Sequence, residues 1–137
     1  MGRVALTAVV ATVVDMVYGF LVYGMLLGPT FDQYPGVFRG SSDTSHIPYL
    51  AAGVFLVMFA AAYAYPKGYE GGSAVREGLC FGAVVATLMV GMNVINYAVL
   101  NVGRRLTLMM SAAAIAEFLL IGLVIALVSN PARPAKV

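Results

Sequence analysis

The chain has 137 residues, 61% hydrophobic and only 10% charged, with a mean hydropathy of +0.91 and a formal net charge of +2. Soluble domains carry about 25% charged residues, so this composition excludes a water-soluble globular domain, and the small positive balance gives no basis for a nucleic-acid partner. A single cysteine, Cys80, excludes an intrachain disulfide.

Four apolar stretches, at about residues 4–27, 48–65, 78–100 and 106–128, are long enough to cross a bilayer. At ~1.5 Å per residue the shortest reaches about 27 Å and the longest about 36 Å. They predict an all-α fold, an integral membrane bundle of four antiparallel transmembrane helices, forming one domain over 1–137 in contact with the lipid bilayer. The first stretch exceeds the roughly 7–15-residue apolar region of a signal peptide, contains Asp15 and lacks a small-x-small cleavage site. It is therefore read as a retained helix.

That helix is expected to end at Gly28-Pro29, because proline removes a backbone donor and disfavours helix at the residue before it. The connection from 28 to 47 is the longest. It mixes turn residues (Pro35, Gly36, Gly40, Ser41, Ser42) with Phe31, Tyr34 and Phe38, as suits a segment lying at the membrane interface. Thr44 and Ser45 are candidate caps for the second span, with Pro48 in its first turn.

The second span closes on Tyr63-Ala64-Tyr65-Pro66, an interfacial anchor followed by a breaker, and Gly71-Gly72-Ser73 turns the chain into the third. Arg76 and Glu77 are expected to pair at the mouth of that span. The connection around Asn101–Arg105 is so short that the third and fourth spans must be antiparallel neighbours. Beyond Asn130 a basic tail with Pro131, Arg133, Pro134 and Lys136 is expected to fray. Arg3, Lys67, Arg76, Arg133 and Lys136 fall on one side, against Arg39, Arg104 and Arg105 on the other. The positive-inside rule then predicts cytoplasmic N- and C-termini.

Asp15 and Glu117 stand near the middle of the first and fourth spans. An ionisable group at that depth costs at least roughly 2.5–3.5 kcal/mol, so it marks a functional site by default. The helical period places Ala8, Ala11, Thr12, Tyr18, Gly19 and Val22 on the Asp15 face, and Met110, Ala113, Ala114, Leu120 and Ile121 on the Glu117 face. Small residues of this kind let helices approach closely. The third span offers a stripe of Gly78, Gly82 and Ala86 for helix packing, followed by Asn93 and Asn96. The expected site is a proton- or cation-binding cluster of Asp15, Tyr18, Asn93, Asn96 and Glu117. No Lys, Arg or His lies at matching depth, so at least one carboxyl is expected to carry a proton near neutral pH. A plain packing role, with each acid hydrogen-bonded to a neighbouring helix, is the competing reading.

Other residue types point nowhere sharper. His46 is the only histidine and lies in a loop, which rules out bis-histidine haem ligation within one chain. Met89, Met92, Met109 and Met110 suit gap-filling in an apolar core better than copper ligation without His or Cys support. No nucleophile elbow, Cys-x-x-Cys, His-Glu-x-x-His or phosphate-binding glycine loop occurs, so no enzyme, cofactor or metal centre is predicted.

Two motifs carry a resemblance. Val22-Tyr23-Gly24-Met25-Leu26-Leu27-Gly28-Pro29-Thr30-Phe31 and Arg76-Glu77-Gly78-Leu79-Cys80-Phe81-Gly82 resemble an uncharacterised group of small four-helix bacterial membrane proteins, a domain of unknown function. The resemblance implies a fold and a compartment, the bacterial inner membrane, but no activity. Small multidrug exporters also have four helices and an acid in the first, but their aromatic pattern around it is not matched here. Two function classes are left. One is a homo-oligomer that couples a proton or cation at Asp15 and Glu117 to movement of a solute or ion, as a transporter or channel. The other is a non-catalytic accessory or assembly subunit that docks on a larger membrane protein partner.

Overall fold

The computed structural model describes residues 1–40 and 42–129. Ser41 and the basic tail, with Arg133 and Lys136, lie outside the described residues. Helix α1 (Gly2–Gly19) continues without interruption into a π-wound stretch, Phe20–Leu26, and a single turn, α2 (Gly28–Phe31), follows. Next come α3 (Ile47–Ala64), closed by a 3₁₀ turn at Tyr65–Lys67, then α4 (Ala74–Val99) and α5 (Arg104–Ser129). Four helical stretches, Gly2–Leu26, Ile47–Lys67, Ala74–Val99 and Arg104–Ser129, are long and apolar enough to cross a membrane. The protein is a multi-pass, all-helical membrane protein.

Local chemistry sets the ends of these helices. Ser73 caps α4, its hydroxyl accepting the Arg76 N–H at 3.3 Å, while Glu77 Oε1 reaches back to the Gly72 N–H at 3.0 Å. The first bond satisfies an amide left over at the helix start, and the second ties the preceding turn to the helix. Among the described residues Arg76 and Glu77 form no ion pair with each other, and the Glu77 carboxylate is held by the turn. Gly71, at φ +90°, supplies the left-handed step that this turn requires. The expected cap of α3 is also replaced. His46 holds the capping position without a side-chain bond, and the Ser45 hydroxyl turns away to Asp43 and His46. Gly28-Pro29 starts α2 rather than simply ending α1, since a first-turn proline gives up an N–H that has no partner there.

α5 is the most deeply buried helix; α1 packs on it and on α3, and α4 lies along its other flank. Cross-helix pairs run in opposite directions. On α1 and α5 the hydroxyls of Thr7 and Ser129 are 3.4 Å apart, and further along Tyr18 reaches Ala113. The core joins Ala11, Met58, Ala86, Ala114, Phe118, Ile121 and Ile125. Gly78, Gly82 and Gly122 make the α4–α5 contact so close that it has no room for a methyl group. A Cβ on Gly78 would lie 2.7 Å from both Ala126 Cβ and the Gly122 carbonyl, and one on Gly122 would lie 2.6 Å from Gly82 Cα. Lipid tails are as apolar as leucine, so close packing of this kind is what holds helices together in a bilayer.

The long connection docks on the opposite end of the bundle. Its Tyr34 hydroxyl accepts the Gly103 N–H at 3.1 Å, tying it to the α4–α5 turn, and the Phe31 and Phe38 rings pack at 4.7 Å.

Candidate functional site: a carboxyl pair at mid-span

Each apolar span positions one acid. Asp15 sits near the middle of Gly2–Leu26 and Glu117 near the middle of Arg104–Ser129. Both are only 7% exposed, among the buried alanines Ala11 and Ala114. Small side chains at these positions bring α1 against α5, and the two carboxyls interact across that contact.

Ionised carboxylates only accept hydrogen bonds. The contact between Asp15 and Glu117 is thus a hydrogen bond only when one of them carries a proton. Asp15 Oδ1 is fully buried and, among the described residues, no donor reaches it. The ion pairs of the described residues, Arg39–Asp43 and His46–Asp43, both lie in the long connection, so no cation neutralises the mid-span acids.

Tyrosines close one side of the pair. The Tyr23 hydroxyl donates to Glu117 Oε2 at 2.9 Å. The Tyr18 hydroxyl donates instead to the Ala113 carbonyl at 2.7 Å, one turn before Glu117 on α5. The two rings meet edge to face, with centroids 6.3 Å apart and planes at 67°. Tyr18 was expected to bond the acids, but its hydroxyl donates its hydrogen bond to a backbone carbonyl instead.

Tyr23 is the residue that the α-helical period misses. In an α-helix, residues three and four apart share a face, and Tyr23 follows Tyr18 by five and Asp15 by eight. The stretch Phe20–Leu26 is wound with bonds spanning five residues, continued by Leu27 N–H to the Val22 carbonyl at 2.8 Å. Residues five apart then come round to the same side, which carries Tyr23 onto the face of Tyr18 and Asp15. Nothing in the sequence announces this winding. The unusual crowding of tyrosines at 18 and 23 beside a buried acid was the available signal.

Asn93 and Asn96 are half-buried on α4, and among the described residues no hydrogen bond joins them to the carboxyl pair. α4 packs on α5 through Gly78, Gly82 and Ala86, all buried, which leaves its far half on the flank away from α1. The pair offers two carboxyls and a tyrosine hydroxyl. A hard cation such as calcium takes about six to eight oxygens, and among the described residues no three His, Cys, Asp or Glu side chains gather. The arrangement suits one shared proton better than a metal ion. No family model matches the chain, and no curated protein or solved structure matches it.

Proposed function

We propose that Asp15 and Glu117 form a mid-membrane proton site whose loading and release drive the movement of a solute or ion through a small oligomer of this chain. The observation that carries this reading is the contact of two buried carboxyls, one with an oxygen that no donor reaches. A proton on one carboxyl makes it a donor to the other, and its removal leaves two like charges close together in a low dielectric. Such a site is bistable, which is what coupling to a conformational change requires. Four helices enclose little space, so the path for a solute runs between protomers. In this reading the membrane is a bacterial inner membrane and both termini face the cytoplasm, which the positive-inside count supports.

The test is carboxyl-stretch infrared difference spectroscopy of the purified protein across pH, comparing wild type with Asp15→Asn and Glu117→Gln. A protonated-carboxyl band that changes with pH, vanishes in one variant and shifts in the other supports a shared proton. Bands that stay constant at every pH, with stability falling in both variants, would make the acids packing groups. The search would then turn to a larger membrane partner and an accessory role.

A further inference from the structure

The second motif of the sequence, Arg76-Glu77-Gly78-Leu79-Cys80-Phe81-Gly82, is only half explained by helix packing. Gly78 and Gly82 face α5, whereas Arg76, Glu77, Cys80 and Phe81 line a cleft of about 580 Å³ on another side of α4. The cleft exists because α3 packs on α1 while α4 packs on α5, leaving α3 and α4 apart where the short loop joins them. Tyr65, at the end of α3 and only 3% exposed, forms its floor by meeting Phe81 edge to face at 5.4 Å. Gly68, Glu70, Gly71 and Gly72 of the loop complete the mouth.

The lining is graded. Glu77, Cys80, Phe81 and Val84 recur at helical spacing, so they form one stripe along α4 about 10 Å long. Its loop end is charged, with Glu70, Arg76 and Glu77, and its deeper end is apolar, with Phe81 and Val84. Val84 is 63% exposed on a membrane-spanning helix, so the apolar end opens sideways to hydrocarbon. Glu77 is held by the turn, but among the described residues neither Glu70 nor Arg76 forms an ion pair. A cleft with one acid and one base free at the interface, running into an apolar groove, matches an amphiphile whose head carries both charges.

We propose that this cleft seats one phospholipid with a zwitterionic ammonium head, its phosphate on Arg76, its ammonium on Glu70 and one acyl chain along Phe81 and Val84. An anionic lipid such as phosphatidylglycerol satisfies Arg76 with its phosphate, but its uncharged head brings no cation to Glu70. A choline head carries the right charges but no N–H to donate to the carboxylate. Phosphatidylethanolamine meets both demands.

The experiment is native mass spectrometry of the delipidated full-length protein, to which dioleoyl phosphatidylethanolamine, phosphatidylcholine or phosphatidylglycerol is added singly. Phosphatidylethanolamine should be retained most strongly. Arg76→Gln and Glu70→Gln should each weaken its retention about tenfold, the effect of one lost charge-assisted hydrogen bond. Both positions are exposed, so the variants keep the fold. Val84→Trp, which fills the apolar groove, should abolish retention of all three lipids at this site. Glycerophosphoethanolamine, the same head without chains, should not displace the lipid at equal concentration. Equal retention of the three lipids, a preference unchanged in both charge variants, or displacement by the chain-free head would overturn the assignment.

Discussion

The Tyr23 hydroxyl donates a hydrogen bond to Glu117 Oε2 across 2.9 Å from a π-wound turn of the first span. The bond joins the one irregular stretch of that span to one member of the mid-membrane acid pair. Tyr23→Phe removes it without changing shape. The expected loss of stability is about 0.6–2 kcal/mol, as for other interhelical hydrogen bonds in membranes, with a shift of the Glu117 infrared band. Tyr18→Phe, which loses only the Ala113 carbonyl bond, should destabilise by a similar amount and leave that band in place.

The acid pair itself separates charge from packing. In Asp15→Asn the new amide can donate to Glu117, and in Glu117→Gln it can donate to the unsatisfied Asp15 Oδ1. Neither variant should unfold the protein, and thermal melting in detergent should give midpoints at or above wild type. Asp15→Leu leaves Glu117 without that neighbour and should lower the midpoint. A fall in all three would count against a proton held between the two carboxyls.

Glycine at 82 is a steric requirement. A Cβ there would collide with the Phe118 carbonyl oxygen, backbone that cannot swing aside. Gly82→Leu should cost at least the about 1–3 kcal/mol typical of overpacking, read by denaturant titration in micelles. Gly53→Ala, at a position open on every side, should change stability little or raise it.

Outside the membrane, pH should act on the long connection through Asp43. The Ser45 hydroxyl and N–H both donate to its carboxylate, and His46 lies 3.5 Å away, so its pKa falls below the ordinary 3.8. A carboxylate favoured in the folded state contributes order above its unfolded pKa and loses it as pH falls through the lowered folded value. Hydrogen exchange at the Ser45 amide should therefore be slow at neutral pH and quicken, relative to neighbouring amides, below about pH 4. Asp43→Asn should show reduced protection at neutral pH and little further change in acid.

Much of the architecture could be read from periodicity because lipid makes hydrophobicity and length nearly sufficient to define a spanning helix. Spans expected at about 4–27, 48–65, 78–100 and 106–128 correspond to Gly2–Leu26, Ile47–Lys67, Ala74–Val99 and Arg104–Ser129. The ends drifted where capping decided them, as at Ser73, which starts α4 four residues early. The stripe of Gly78, Gly82 and Ala86 lies on the packed face for the same periodic reason, and the α-helical period brings Asp15 and Glu117 to facing sides of α1 and α5. Tyr23 was out of reach because its position depends on a local change of winding. Asn93 and Asn96 show the complementary failure. Their spacing fits the packed stripe, but which helix a stripe faces is set by tertiary packing, and α4 has α5 rather than α1 as its neighbour.

The unequal lengths of the spans bear on the surrounding bilayer. Ile47–Lys67 has 21 residues, while Ala74–Val99 and Arg104–Ser129 have 26 each, or about 32 Å against about 39 Å. A hydrocarbon layer of about 30 Å accepts the first nearly upright and the other two only if they lean or the layer thickens beside them. Because the glycine seam locks α4 to α5, the pair leans as one body. Gly2–Leu26, at 25 residues, must lean in the same way, so the mismatch in length falls between the short Ile47–Lys67 span and the first span on which it packs.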